Sequence, residues 1–359
     1  MNSPAPSNAT RIRADLAVRG VRLDAPVARR GGAGPSDDGH VRIGGLRAAL
    51  PIVTDSPYSV DATGRLLHEE EGDTGVDIDV ADRPAFYELT TASGVPYHKL
   101  ARLHGSDVLA TTVIQTCMRY EESDRCRFCA IEESLAAGVT TKTKTPAQLA
   151  EVAEAAARLD GVTQMVMTTG TTTGPDRGAR YLARCVRAVR SAVPDLPIQV
   201  QCEPPADLAV LTELFEAGAT AIGIHVESLD EDARRVWMPS KATVPLSEYW
   251  AAWHEAVRVF GTNRVSTYLL VGLGEDPDEL VAGATELIAA GVYPFVVPFR
   301  PLAGTLAVRD GARAPSAELV ADVTARVGAA LRAAGMRGAD QAAGCAACGA
   351  CSALSSAGG

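Results

Sequence analysis

A chain of 359 residues, 47% hydrophobic and 22% charged, is long enough for two domains or one barrel with attachments, and apolar enough for a large core. Its formal net charge of −10 argues against general nucleic-acid binding and against an anionic membrane surface. No run of 18 apolar residues offers a transmembrane helix, and the opening MNSPAPSNAT has no apolar signal core, so the cytoplasm is the expected location. In that compartment eight cysteines are expected to bind metal rather than pair as disulfides.

Residues 1–40 are rich in Ala, Pro, Gly, Ser and Arg, and the RRGGAGPSDDG stretch has no period of either kind, so this lead-in is expected to be irregular or disordered. Residues 41–105 hold short alternating pieces such as GVDIDVAD and are expected to form a small β-rich attachment. His98 and His104 near its end have no ligand spacing around them and read as surface or packing residues.

From 106 to 335 the pattern becomes regular. Strands are expected at 108–115, 162–167, 198–202, 220–226, 264–271 and 293–298. Helices alternate with them at 145–159, 177–193, 208–217, 247–260, 277–290 and 316–334. Thr145, Pro146 and Gln148 form an N-cap, first-turn proline and capping box for the first of these. Six strand–helix units imply an all-parallel α/β sheet with right-handed crossovers, either a partial (β/α)6 barrel or an open doubly wound sheet. Residues 336–359 form a separate cysteine-containing tail.

The first strand runs into TCMRYEESDRCRFCA, where Cys117, Cys126 and Cys129 are separated by eight and then two residues. Chemistry in parallel α/β folds sits at the C-terminal ends of strands. Three thiolates can hold three irons of a [4Fe-4S] cluster and leave the fourth free, unlike the four-cysteine closure of a ferredoxin; a structural zinc site is the alternative. Phe128, between the last two cysteines, is placed close to such a metal site.

The triplet, with its aromatic before the third cysteine, resembles the radical S-adenosylmethionine (SAM) superfamily. That resemblance covers 108 to about 335 and favours the partial TIM-type barrel with its site at the C-terminal rim. It implies that the free iron chelates SAM and that Phe128 packs beside the adenine. The usual first gap is three residues, not eight.

Other strand ends carry further parts of the resemblance. After the second strand, TTGTTTG stands where the family has a glycine-rich contact to the SAM amino group, which places Thr169, Gly170 and Thr171; the plain reading is a strand-to-helix turn. Glu203, after the third strand, can accept from ribose hydroxyls or an ammonium, or be a solvated loop residue. The fourth strand ends His225-Val226-Glu227, and alternation sends His225 and Glu227 to one side. This resembles the ending in the biotin and lipoyl synthase branches, where the carboxylate helps bind SAM. The VGLGE ending of the fifth strand resembles the adenine-flanking motif, with Gly272 and Gly274 admitting backbone close to the ring. The sixth ends FRPLAGT, similar to the biotin-synthase-like ending, and makes Arg300 a candidate for a carboxylate of SAM or substrate, or for a rim salt bridge.

In the tail, Cys345, Cys348 and Cys351 have the C-x2-C-x2-C spacing of a ferredoxin run, with Ser355 where a fourth cysteine would stand. A second iron–sulfur cluster, a zinc site and a free thiol tail are all open readings. Together, the long first gap, KTPAQLAEVAEAAARLDGVTQMVMTTGT and GCAACGACSAL look like a radical SAM family of nitrilase-containing bacterial gene clusters. The expected function is reductive SAM cleavage to a 5′-deoxyadenosyl radical that abstracts hydrogen from a small-molecule substrate, followed by sulfur insertion or rearrangement. An electron donor such as flavodoxin or ferredoxin is implied, and neither nucleic acid nor membrane. The rival class is a non-catalytic iron–sulfur or zinc protein that senses redox state or binds a ligand.

Overall fold

The computed structural model describes residues 8–22, 40–43, 46–51, 53, 55–80, 83–105 and 107–354. The chain opens with helix α1 (Asn8–Arg19), followed by β1 (His40–Ile43), β2 (Leu46–Ala49), β3 (Tyr58–Val60), β4 (Arg65–His68) and β5 (Gly72–Val80). The five strands form an antiparallel sheet in the order β2-β1-β5-β4-β3. The irregular lead-in expected over 1–40 is therefore corrected at α1; the RRGGAGPSDDG stretch lies outside the described residues. Ile12 and Leu16, one helical turn apart, pack on Leu50 and Leu66 of the small sheet's core, while Ala14 joins the core of the larger domain. A weakly amphipathic helix is thus held from two sides by tertiary packing, which composition does not reveal.

The second sheet starts with the hairpin β6 (Arg102–His104) and β7 (Val108–Thr112). After a four-residue helix α2 (Glu133–Ala136) come α3 (Pro146–Asp160), β8 (Gln164–Thr168), α4 (Ala179–Ala192), β9 (Ile198–Gln201), α5 (Ala209–Glu216) and β10 (Ala221–Gly223). Two short helices, α6 (Glu231–Trp237) and α7 (Pro239–Ala242), precede α8 (Leu246–Phe260), β11 (Val265–Val271), α9 (Pro277–Ala289) and β12 (Val292–Pro298). Then follow α10 (Leu306–Arg309), α11 (Ala317–Ala333) and a helical turn in the tail, α12 (Cys345–Cys348).

Strands β7 to β12 are parallel and lie side by side in sequence order, with β6 and β12 at the edges. A doubly wound sheet reverses its strand order at a switch point. Here the order never reverses, so every right-handed crossover puts its helix on the same face and the sheet curls into a half-barrel. The Thr145–Gln148 capping box is present at α3, and Asp276 and Ser316 cap α9 and α11 through side-chain oxygens. The fourth strand is shorter than expected: Pro204 and Pro205 end the β9 ladder, and residues 224–227 keep hydrogen bonds to β11 alone.

The parallel register fixes which side chains face the hollow. Thr112 pairs with Thr168, Thr168 with Gln201, Gln201 with Gly223, and Gly223 with Ser266. With a period of two, His225 and Tyr268 lie one step further up the same face. Polar residues at buried strand positions, Gln199 and Gln201 among them, thus mark the inner wall.

Candidate active site at the half-barrel mouth

The cysteine loop leaves β7 at its C-terminal end. The Met118 N–H donates to the Thr171 carbonyl (2.8 Å) and the Gly170 N–H to the Ile114 carbonyl (2.8 Å), so the expected second-strand loop lies directly under the triplet. Gly170 is required there: a Cβ would sit 2.0 Å from the Thr116 carbonyl oxygen. Thr169 turns its hydroxyl to the Gly170 carbonyl, while buried Thr171 donates to Glu203 (2.8 Å). The loop's far side is held by Arg127, whose N–H donates to the Trp237 carbonyl (2.8 Å).

Cys126 and Phe128 pack against Met238, Leu273 and Phe299, an apolar wall at the mouth. The Cys117 N–H donates to Glu132 (3.1 Å). Burial pushes the Cys126 and Cys129 thiols up, Cys129 to about 12, and each is raised further by a neighbouring cysteine of the triplet. These are free thiols that ionise on binding a cation, which releases their protons.

Two buried ion pairs flank the triplet. Glu203 accepts from Arg119 at 3.0 and 3.1 Å, and Arg119 also donates to the Ser240 carbonyl and hydroxyl. Glu227 accepts from Lys241, a residue only 8% exposed. Burial alone would lower the Lys241 ammonium, but Glu227, Tyr249 and Cys126 raise it above its usual value. Glu227 has φ +64°, a left-handed conformation rare outside glycine, on a β-bridge to Leu269. Arg119, Ser240 and Lys241 were not singled out from sequence. The signal available was a basic residue two positions after Cys117 and another in the irregular segment before α8.

Gly272 and Gly274 have φ +104° and +102° just beyond β11, and the Leu273 carbonyl between them accepts from the Trp237 indole (2.6 Å). Arg300 points elsewhere. It is half-buried and donates to the Ala17 carbonyl (3.0 Å) and the Cys351 carbonyl (3.3 Å), which places it beside the tail.

Inside the half-barrel is a cavity of about 330 Å³ that extends from Glu227, past His225, Tyr268 and Gln201, to Cys345 and Cys351. Lys99 and Arg102 line its wall, two cations in an acidic chain, while burial lowers Lys144 to about 7 and its amine donates to the Thr112 carbonyl, Gln115 and Thr140. His225 stacks on Tyr268 (centroids 4.1 Å, interplanar angle 3°) and accepts the Tyr268 N–H at Nδ1 (3.2 Å). Burial, with Lys241 adding to it, lowers its pKa to about 3, so the ring is neutral with Nε2 protonated. That buried Nε2 has no hydrogen-bond partner among the described residues.

The tail crosses the foot of this cavity. The Gly344 N–H donates to Gln164 (2.8 Å) and the Cys345 N–H to Gln199 (3.3 Å), both near the starts of their strands. At Gly344, φ +116° favours glycine, and a Cβ would lie 2.2 Å from the Gln199 amide and push that side chain away. Three arginines surround the loop from outside. Arg13 donates to the Gly349 and Ser352 carbonyls, Arg300 to that of Cys351, and Arg47 lowers the Cys348 thiol against the upward push of burial. Ser355 lies outside the described residues.

Each triplet combines half-buried cysteines from one short segment with local positive charge, which fits an anionic iron–sulfur group. Among the described residues no three His, Cys, Asp or Glu side chains are placed as the ligand set of a single metal ion.

The sequential parallel half-barrel carries its first cysteine triplet at the C-terminal mouth, the placement the resemblance to radical SAM enzymes implies. The family model of the Radical SAM superfamily matches residues 117–287, so this part of the chain carries a radical SAM domain. A curated relative, bacteriochlorophyllide c C-7(1)-hydroxylase of Chlorobaculum limnaeum, is 32% identical over 113 residues, 31% of this chain and 28% of the relative. The chain thus matches less than a third of that relative's length. Among solved structures, methylornithine synthase is similar with a TM-score of 0.46 and 18% identity, covering 60% of each chain. HydG, a maturase of the [FeFe]-hydrogenase, is similar with a TM-score of 0.49 and 15% identity, covering 63% of this chain and 49% of its own. No helix among the described residues is long and apolar enough to cross a membrane.

Proposed function

We propose that the chain is a radical SAM enzyme acting on a small molecule held inside the half-barrel. Cys117, Cys126 and Cys129 would hold a [4Fe-4S] cluster with one iron left for SAM. When bound, cluster and SAM together supply one-electron cleavage of the sulfonium and a 5′-deoxyadenosyl radical that takes a hydrogen atom from substrate. The chain's own residues bind and exclude water. Phe128 and the Leu273–Phe299 wall would flank the adenine. Thr169, Gly170, Thr171, Glu203 and Glu227 are the candidate contacts to SAM polar groups, with Arg119 and Lys241 orienting the two carboxylates. Gly272 and Gly274 leave room beside the ring.

The observation that carries this reading is the continuous cavity running inward from Glu227, beside the triplet, with the neutral His225 N–H left for a ligand acceptor. Lys99 and Arg102 on the cavity wall favour a substrate with an acidic group. A small reductant protein such as flavodoxin or ferredoxin would supply the electron. Cys345, Cys348 and Cys351 are the proposed ligands of a second cluster, with Arg300 beside it. Whether hydrogen abstraction leads to sulfur insertion or to rearrangement turns on that cluster: a Cys345/Cys348/Cys351→Ala variant with full turnover would remove sulfur insertion.

Anaerobically reconstituted protein given dithionite and SAM is expected to yield 5′-deoxyadenosine and methionine. An intact first cluster that gives neither product would favour the non-catalytic sensor instead.

A further inference from the structure

Three cysteines and no fourth account for the tail segment, and its placement says more than its spacing. Cys345 and Cys351 line the same cavity as His225 and Tyr268. The Cys345 sulfur accepts two hydrogen bonds from the inner wall, from the Tyr268 hydroxyl at 2.7 Å and the Gln201 amide at 3.4 Å. The opposite side of the loop is covered. The Ala49 N–H of β2 donates to the Ala350 carbonyl (2.7 Å), Arg13 holds the Gly349 and Ser352 carbonyls, and the Ser352 hydroxyl donates to Val296. An electron-relaying cluster belongs where a partner protein can approach; this one is shut off by the N-terminal layer and faces the substrate space.

We infer that the tail triplet holds a cluster whose iron without a cysteine opens into the half-barrel cavity and there takes a nitrogen, oxygen or sulfur donor of the substrate. This rests on the reading of Cys345, Cys348 and Cys351 as cluster ligands and is independent of SAM cleavage. Tyr268 and Gln201 act as positioning residues. Their hydrogen bonds to the Cys345 sulfur tune the cluster, since donors to cluster sulfurs shift its reduction potential. The N-terminal sheet and α1 acquire a role by the same argument: they are the outer wall of the second site.

The test uses the full chain with Cys117, Cys126 and Cys129 all changed to Ala, reconstituted anaerobically with iron and sulfide. About four irons per chain are expected from the cluster formula, with a dithionite-reduced paramagnetic signal. Brief oxidation is expected to release the unique iron and give a three-iron signal. Cyanide and imidazole, added separately, are expected to shift the reduced signal. Ala110→Phe, in the cavity wall, is expected to keep the iron and lose the imidazole response. Tyr268→Phe is expected to keep the iron and change the reduction potential. A folded variant that binds no iron, or one zinc only, overturns the proposal. So does an iron-loaded variant indifferent to both probes, or an imidazole response unchanged by Ala110→Phe. None of these outcomes bears on SAM cleavage, which the first triplet carries with the tail intact.

Discussion

Lys241→Met is the sharpest perturbation of the mouth. Lys241 and Glu227 form a pair whose side chains are 10% and 13% exposed, next to Cys126. Removing one partner of a buried pair leaves the other charge uncompensated, which costs about 3–5 kcal/mol. For a chain of this size that is a fall in melting temperature of roughly 4–7 °C. The sign with pH follows from the remaining carboxylate. Burial already raises the Glu227 pKa against the pull of Lys241, and without the ammonium it rises further. A carboxyl with a raised folded-state pKa loses stability as pH climbs above its unfolded value of about 4.5. The deficit of Lys241→Met is therefore expected to be small at pH 5 and full at pH 8. Adding Glu227→Gln should recover at least half of it, because a neutral amide replaces the stranded charge. Thermal unfolding of the metal-free parent and both variants at the two pH values measures the deficit and its recovery. A deficit under about 1 kcal/mol at pH 8, or one independent of pH, would refute the reasoning, since the pair would then not be desolvated.

Three further outcomes follow from single positions. Gly170→Ala places a methyl 2.0 Å from the Thr116 carbonyl and should displace the cysteine loop, roughly halving reconstituted iron while the circular dichroism spectrum is kept. Gly344→Ala drives a methyl into the Gln199 amide and should selectively remove the tail's share of the iron, leaving SAM cleavage in place. Glu275 has two buried oxygens without hydrogen-bond partners among the described residues, and burial raises its pKa to about 7. Stability is then lost between pH about 4.5 and 7, on the order of 3 kcal/mol in all. Glu275→Gln should match the parent at pH 4.5 and melt higher at pH 8; an equal difference at both would contradict the assignment.

The core was legible because its signals are local. Capping residues at Thr145, Asp276 and Ser316 sit beside periodic apolar runs, and parallel strands buried on both faces read as apolar stretches. The position of the first triplet, just beyond the strand β7, was legible from the apolar run that precedes it. What sequence did not reveal is long-range. The Ile12–Leu16 face of α1 is stabilised by a sheet some 30 to 60 residues further on, so its own pattern is faint. Arg119 and Lys241 reach Glu203 and Glu227 across 84 and 14 residues of sequence. Arg300, expected to meet a carboxylate of SAM or substrate or to form a rim salt bridge, instead donates to a carbonyl 51 residues on. One signal was available and passed over: Gln199 and Gln201 alternate with Ile198 and Val200 in a buried strand. Buried amides need partners, and here those partners are the tail and its neighbours.

The most direct measurement of the central claim is the yield of 5′-deoxyadenosine from SAM in six single variants, each cysteine of the two triplets changed to Ala, reconstituted and reduced alike. Loss of product in Cys117→Ala, Cys126→Ala and Cys129→Ala, with product retained in Cys345→Ala, Cys348→Ala and Cys351→Ala, is the result expected. Equal product from the parent chain and Cys126→Ala, or none from a fully iron-loaded parent, would contradict it.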